Sequence, residues 1–393
     1  MDITIETVEE KLKTIYKEDQ FDMTVDGVTV YNKAHKIERH FELPVEEELL
    51  LNQIKNFIQT HYTQGKYIYF NGYFEGLIDL NNFHQYFYDN GFDLSAPEGT
   101  NKEDIYYEIG GLSADFATML ESDIISDYFQ PEHHHSIKIY NLKWNEKEKD
   151  KQKRIDEYID ACYYLGDIAF FDLNRKTGVS IAWQDLSADD VFEPDFEEVN
   201  FETINNTELA HGKYDRDLLK YFNRASQMTV SEFKYIAYFQ VLECIFDEVY
   251  LYETVQDAKS IIDASWFRTS EFDHINKLIK VIDRYNKEQN DKNKTKLVLE
   301  KYFKMNLHDE AYLIANSDVK EFLEDINLIK SDAEFKDLQK LAGIIYDIRC
   351  EYTHSNRAFP KKRENVISNN ELETHISIIK AIAETVIVNY KKQ

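Results

Sequence analysis

From about Thr207 to the end, the chain runs in long stretches of helical periodicity almost free of glycine and proline. Four of its five prolines (Pro44, Pro97, Pro131, Pro194) fall before that point and one, Pro360, after it. Gly and Pro break helix interiors, so their scarcity lets the second half form helices and argues against a strand-and-turn architecture there. The first half is punctuated in the other way, with short alternating runs between turn residues. At 393 residues the chain is long enough for two domains. The expected fold class is α+β, an N-terminal mixed α/β domain (1–205) followed by an all-helical bundle (206–393).

Charge divides at the same place. The net charge is −27. Residues 1–205 hold 18 Lys/Arg against 42 Asp/Glu, and residues 206–393 hold 28 against 31. A chain this acidic is no general coater of nucleic acid, because nonspecific affinity comes from neutralising phosphates. No run approaches 18 apolar residues, so no membrane span is expected. The N-terminus has no basic segment leading an apolar one, so no secretory signal is expected. Three well-separated cysteines, Cys162, Cys244 and Cys350, give neither a disulfide framework nor paired CxxC zinc ligands. A reducing cytoplasm is the expected compartment.

In the first half, FDMTVDGVTVYN alternates around Asp26-Gly27 and predicts a hairpin. VEEELLLNQIKNFIQTHYTQG predicts a helix with Leu50, Ile54, Phe57 and Ile58 on one face, capped by Gly65. KYIYFNGYFEGLIDL predicts strand and turn, and SIKIYNLKW (136–144) a strand. IAFFDLN, the turn RKTG and VSIAWQD (168–185) predict a second hairpin. His133, His134 and His135 are adjacent, and neighbours on an extended segment point to opposite faces, so a shared metal ion is not expected. No GxGxxG or GxxxxGK[ST] phosphate loop occurs, and no cofactor or metal is implied.

In the second half, residues 231–253 predict one long helix with a stripe of Phe233, Ile236, Tyr238, Phe239, Leu242, Ile245 and Phe246. Helices are also expected over 270–288, 295–305, 318–330, 333–354 and 372–390, with a basic loop, SNRAFPKKRENVISNN, before the last. Residues 349–363 hold Arg349, Arg357, Lys361, Lys362 and Arg363 against Glu351 alone, a local surplus of +4 in an acidic chain. Residues 275–304 add nine Lys/Arg against four carboxylates. Such islands can receive a polyanion whatever the total charge.

The segment IIYDIRCEYTHSNRAFPKKR (344–363) places four residues between Arg349 and His354. It resembles the Arg-x(4–6)-His signature of HEPN domains, and of the Apea-like branch in particular. Tyr346 stands three residues before the Arg, Cys350 directly after it, and His354 in the turn position. YFQVLECIF, with Glu243, is similar to the earlier long helix of that family. Cys350 and Ser355 stand where the family often has a polar residue and Gly. The resemblance covers about 210–393 and implies a helical ribonuclease domain that needs no metal, with Arg349 and His354 catalytic, Tyr346, Cys350 and Glu243 supporting, and Arg357, Lys361, Lys362 and Arg363 on RNA. It also implies a homodimer in which two motifs form one site, and a toxin or anti-phage (abortive infection) setting.

The chemistry has its own logic. Strand cleavage by a 2′-hydroxyl needs a group that moves a proton near neutral pH, which suits His, and a fixed cation for phosphoryl charge, which suits Arg. On an unbroken helix, a five-residue offset sets the two side chains about 140° apart. Convergence therefore requires the helix to end near 351–354 or a second subunit to contribute. The acidic half would then sense, recognise or restrain, with a regulator or trigger protein as partner. Two further readings stay open: a non-catalytic HEPN-fold adaptor that binds RNA or protein, and an immunity-like regulatory protein suggested by the acidic first half.

Overall fold

A computed structural model of the chain describes residues 5–15, 20–23, 27–42, 47–70, 72–79, 92–94, 105–123, 134–184, 213–287, 290–326, 338–353 and 369–391. The chain separates into two compact units, Met1–His211 and Gly212–Gln393. The expected boundary at 205/206 and the acidic segment before it lie outside the described residues. The first unit is built on sheets and the second is mostly helical, so the chain is mixed α+β.

The first unit begins with α1 (Ile5–Ile15) and a small antiparallel sheet of β1 (Phe21–Met23), β2 (Gly27–Asn32) and β3 (Ile37–Glu42). The expected hairpin forms, but Phe21 pairs with Val30 and Met23 with Val28, two residues short of the Met23–Val30 pairing that a two-residue Asp26-Gly27 turn would set, and Gly27 itself begins β2. Helix α2 (Glu47–Gln59) buries Leu50, Ile54 and Phe57 completely. It stops before β4 (His61–Thr63), which pairs with β5 (Tyr67–Phe70). Gly65 is therefore no helix cap. With φ of 65° it turns the β4–β5 hairpin, because the extended residues of HYT leave the helix six residues earlier than the glycine suggests.

A larger antiparallel sheet runs β4-β5-β6-β9-β8-β7, with β10 also on β6. Its remaining strands are β6 (Tyr73–Asp79), β7 (Phe92–Leu94), β8 (Tyr106–Gly111), β9 (His135–Tyr140) and β10 (Ala182–Trp183). Both faces of this sheet are apolar. Tyr73 and Leu77 pack with the small sheet, α2 and α3 (Ala114–Asp123), while Phe74 and Ile78 pack on the other side with Ile137, Ile139 and the long helix α4 (Lys151–Thr177). Period-two alternation along β6 thus serves two cores at once.

Helix α4 overturns the hairpin expected at 168–185. It runs 27 residues from an Asp150 N-cap, which accepts from Lys153 N, to Gly178, whose N–H reaches Asn174 O at φ 80°. The turn chemistry of RKTG is real but closes a helix. Cys162, Ala169, Phe170 and Leu173 recur at helical spacing in the core, and an apolar run such as IAFF does not by its own pattern separate a buried helix from a buried strand.

The second unit comprises α5 (Arg216–Ser226), α6 (Ser231–Glu243), α7 (Phe246–Ile262), α8 (Phe272–Lys287), α9 (Asp291–Val298), α10 (Glu310–Ala315), α11 (Ser317–Asp325), α12 (Gln339–Thr353) and α13 (Asn369–Asn389). After α9 the chain continues through a π turn (Leu299–Phe303) and a 3-10 turn (Lys304–His308), where a plain α-helix is expected. Helix α6 packs against α5, α12 and α13, and α9 against α7 and α12. The helix expected over 231–253 is broken at Cys244–Ile245, where Ile245 N bonds back three residues to Leu242 O with φ of −109°. Tyr238, Phe239, Leu242, Ile245 and Phe246 are buried as expected, but Phe233 is 60% exposed. Among the described residues no helix is long and apolar enough to cross a membrane.

Candidate functional site

Four of the residues singled out from sequence meet where α6 ends and α12 approaches its last described turn. Tyr235 of α6 is buried and donates its hydroxyl to Ile345 O at 3.0 Å, which fixes α12 against α6 one turn before Arg349. Arg349 then donates from Nη2 to Glu243 Oε1 at 2.8 Å. Its guanidinium lies 5.9 Å from the centre of the Phe239 ring, one turn before Glu243. The helix break at Cys244 makes Glu243 the last residue of α6, where the helix dipole disfavours a negative charge and an opposed arginine offsets it.

The electrostatics follow from this geometry. Burial raises the Glu243 carboxyl, the Arg349 guanidinium pulls it back, and Asp291 at the start of α9 pushes it up again, leaving it above the ordinary value. Burial works against the Arg349 charge, and the Glu243 carboxylate more than compensates with help from Cys350. Tyr346 and Cys350 are one turn apart on α12. Their hydrogen bond, with burial, pushes the Tyr346 phenol up to about 12. Cys350 is buried beneath it. Arginine presents five N–H donors in one plane, so the bond to Glu243 fixes the orientation of the fork.

Helix α12 is described through Thr353, whose Oγ1 donates to Arg349 O at 2.8 Å. His354, Arg357, Lys361, Lys362 and Arg363 lie outside the described residues. The basic run at 275–304 is largely engaged where it is described. Lys294 bonds Asp247, Lys296 faces Glu300 at 3.6 Å, and Lys301 sits 4.0 Å from the Tyr252 ring. Of the three adjacent histidines, His135 is buried in β9, His134 is half-buried and His133 is outside the described residues. Among the described residues no group of three or more His, Cys, Asp or Glu side chains is placed to hold a metal ion.

Sequence reasoning passed over three parts of this site: Tyr235, Phe239 as the ring beside Arg349, and Asp291. Asp291 carried a legible signal, since Asn290 caps α9 by accepting from Asn293 N and puts Asp291 in its first turn. Nothing in sequence placed that turn beside Glu243. No family model, curated protein or solved structure matches this chain.

Proposed function

We propose that the chain is a HEPN-type endoribonuclease that needs no metal ion, acting as a toxin or anti-phage effector. In this reading His354 takes the proton of a 2′-hydroxyl, whose oxygen attacks the adjacent phosphorus. The bond from phosphorus to the 5′-oxygen breaks and that oxygen leaves with a proton. The products are a 2′,3′-cyclic phosphate and a 5′-hydroxyl. Arg349 holds the charge that develops on the phosphoryl oxygens. The observation that carries the reading is the Arg349–Glu243 pair, which joins the two helices that resemble the family and fixes the orientation of the guanidinium. Two copies meeting at their motifs would complete the site, and the acidic half would restrain or sense.

The test is incubation of the full chain with end-labelled RNA in EDTA. Cleavage that yields cyclic-phosphate ends, and is lost in His354→Ala and in Arg349→Ala, supports the reading. Equal activity in wild type and both variants sinks it.

A second reading has its own observation. The Arg349 side chain is only 19% exposed and already ion-paired, as a residue that fixes two helices together would be. In that case the helical unit is a non-catalytic adaptor that binds RNA or a protein. RNA retained in a gel-shift assay without any cleavage at long incubation selects it.

A further inference from the structure

The first half of α4 and the outer edge of the larger sheet flank an open groove of about 440 Å³. Strand β4 is the edge of that sheet and β5 is its neighbour. Alternation along β5 turns Tyr67 and Tyr69 toward α4, into the same core. On α4, residues four apart lie on one face. Ile155, Ile159 and Tyr163 form one such row, and Gln152, Asp156 and Asp160 form the row beside it. The groove thus has an aromatic floor and a carboxylate rim. Asp156 and Asp160 are exposed, Tyr67 and Tyr163 are half-buried, and Tyr69 is 6% exposed.

The three rings stand in different planes. Between ring centres, Tyr67 lies 5.9 Å from Tyr163 at 84° and 6.3 Å from Tyr69 at 45°. Each ring is held from behind. Tyr163 packs on Trp183 at 4.6 Å, Tyr67 on Phe74 at 5.4 Å and Tyr69 on Trp144 at 6.0 Å. The wall is therefore set in advance, and a ligand loses little affinity to ordering it. Asp156 Oδ1 accepts from Gln152 Nε2 at 2.9 Å, a neutral donor that steadies the carboxylate without cancelling its charge. That charge reaches the wall, since after burial and Tyr67 it adds to the raising of the Tyr69 phenol. At the other end His61 stacks on Tyr69 at 4.9 Å. Burial, and then Lys151, push its imidazole down, so it is mostly uncharged at neutral pH.

We propose that this groove binds a small organic cation that carries a methylated ammonium group. An aromatic face is negative and attracts cations, and rings set at angles to one another surround such a group better than one ring does. A bare ammonium is a compact, strongly hydrated charge that gives up water reluctantly. Methyl groups remove that hydration and pack on the rings. Asp156 and Asp160, on the rim, supply the opposite charge. The volume lies in the range of small-molecule sites. The surrounding field helps as well, since residues 1–205 hold 42 carboxylates against 18 basic side chains and so gather cations. The inference does not rest on the nuclease reading, because the groove lies wholly within the first unit.

Calorimetric titration of the full chain with choline as the probe tests it. Choline is expected to bind, and its uncharged isostere 3,3-dimethylbutanol to bind at least roughly tenfold more weakly. Tyr67→Leu and Tyr163→Leu are each expected to weaken choline binding roughly tenfold, and Asp156→Asn roughly threefold or more. Tyr163→Phe keeps the ring and is expected to stay within about threefold of wild type. Asp273→Asn, at an exposed carboxylate of α8, is the control and is expected to change nothing. Circular dichroism confirms that each variant is folded. If a Leu variant does not fold, Asp156→Asn and the isostere decide, since neither disturbs the core. No binding of choline, equal binding of the isostere, or wild-type affinity in Tyr163→Leu or Asp156→Asn would overturn the proposal. So would a chain that ignores choline and binds a trimethyl-lysine peptide, which would make the groove a peptide surface. Choline binding that depends on Tyr163 and Asp156 in a protein that cuts no RNA removes the nuclease reading and leaves this one standing.

Discussion

Arg349 donates to Glu243 Oε1 at 2.8 Å across a sequence separation of 106, so one ion pair ties the end of α6 to the last turns of α12. Both side chains are partly shielded from water, with 19% and 30% of their surface exposed. The pair orients the arginine fork by removing one of its rotational choices. A lysine in its place keeps the charge and loses the plane of donors. If Arg349 stabilises a phosphoryl oxygen, Arg349→Lys is expected to lower RNA cleavage at least tenfold while leaving the thermal midpoint close to that of wild type. Glu243→Gln still accepts the hydrogen bond and is expected to keep cleavage within about tenfold. A Lys variant as active as wild type would contradict a role for the planar fork.

The same pair makes a prediction about pH. The Glu243 carboxyl is raised in the folded chain, by burial first, against the pull of Arg349. Between the ordinary glutamate value and the raised one, the folded state holds a proton that the unfolded chain has lost. Stability from this group is therefore present at low pH and declines as pH rises through that window. Wild type is expected to lose stability relative to Glu243→Gln as pH rises from about 4 toward neutrality. In an Arg349→Ala background the decline is expected to be larger, because the guanidinium no longer lowers the carboxyl. Urea midpoints of the four proteins across that range check it, and a wild type that gains on the Gln variant with rising pH would reverse the assignment.

The residues of this site were readable in sequence to the extent that they sit on one helix. Tyr346, Arg349 and Cys350 follow a local spacing, and α12 places them as that spacing implies. Glu243 was reachable through its resemblance to an earlier helix. Tyr235 and Phe239 were legible as apolar helix positions but not as the groups that hold α12 and flank Arg349, because those contacts come from helix packing that one periodic pattern does not specify. The error at 168–185 has the same origin. Phe170 and Phe171 read equally well as strand or helix, and the deciding information, a sheet face on β6 that needed covering, lay about a hundred residues earlier. Glu75, a buried carboxylate on β6, was invisible to pattern, since a carboxylate within a strand reads as solvent-facing.

Gly166, in the middle of α4, offers a test of packing against propensity. Replacing a mid-helix glycine by alanine ordinarily stabilises a helix by about 1 kcal/mol. Here a Cβ would stand 2.1 Å from Cζ2 of Trp183. That ring cannot easily yield, since it packs on Phe74, Tyr163 and Phe170 and its Nε1 donates to Asp167 Oδ1 at 3.0 Å. Gly166→Ala is expected to destabilise the first unit by about 1–3 kcal/mol, the range of an overpacked core. Gly111→Ala, where a Cβ meets nothing within 4 Å, is the matched control and is expected to be neutral or mildly stabilising. Denaturant unfolding compares them, and a stabilised Gly166→Ala would mean that Trp183 has room to move.

The three thiols should separate by reactivity. Cys244 is exposed at the break between α6 and α7, whereas Cys162 and Cys350 are buried. Burial pushes the Cys162 thiol far above its ordinary value, so almost none of it is the reactive thiolate at neutral pH. Iodoacetamide followed by peptide mapping is expected to label Cys244 first. Cys162 should be labelled only as fast as the first unit opens. Native labelling of Cys162 at the rate of Cys244 would contradict the burial of α4 against the sheet.

Glu75 is the most demanding polar group in the first unit. It lies on β6, fully buried on the face it shares with Tyr73 and Leu77. Oε1 accepts from Ser113 N at 2.8 Å and from Ser136 Oγ at 2.7 Å, and Oε2 accepts from the Tyr73 hydroxyl at 2.6 Å. Three donors from three parts of the chain converge on one carboxylate, which binds the start of α3 and strand β9 to the centre of the sheet. Glu75→Ala leaves those donors buried without their acceptor and opens a cavity. Since each unsatisfied buried group costs about 1–3 kcal/mol, the total loss is expected to reach about 3 kcal/mol or more. Glu75→Gln still accepts at one oxygen, and the Tyr73 hydroxyl can turn to accept from its amide, so it should lose about 1–2 kcal/mol. Tyr73→Phe removes one donor and is expected to fall between wild type and Glu75→Ala. Urea unfolding followed by tryptophan fluorescence, which reports on Trp144 and Trp183 of this unit and Trp266 of the other, orders the four proteins. A Glu75→Ala protein within 1 kcal/mol of wild type would show that the network orders the strands without stabilising them.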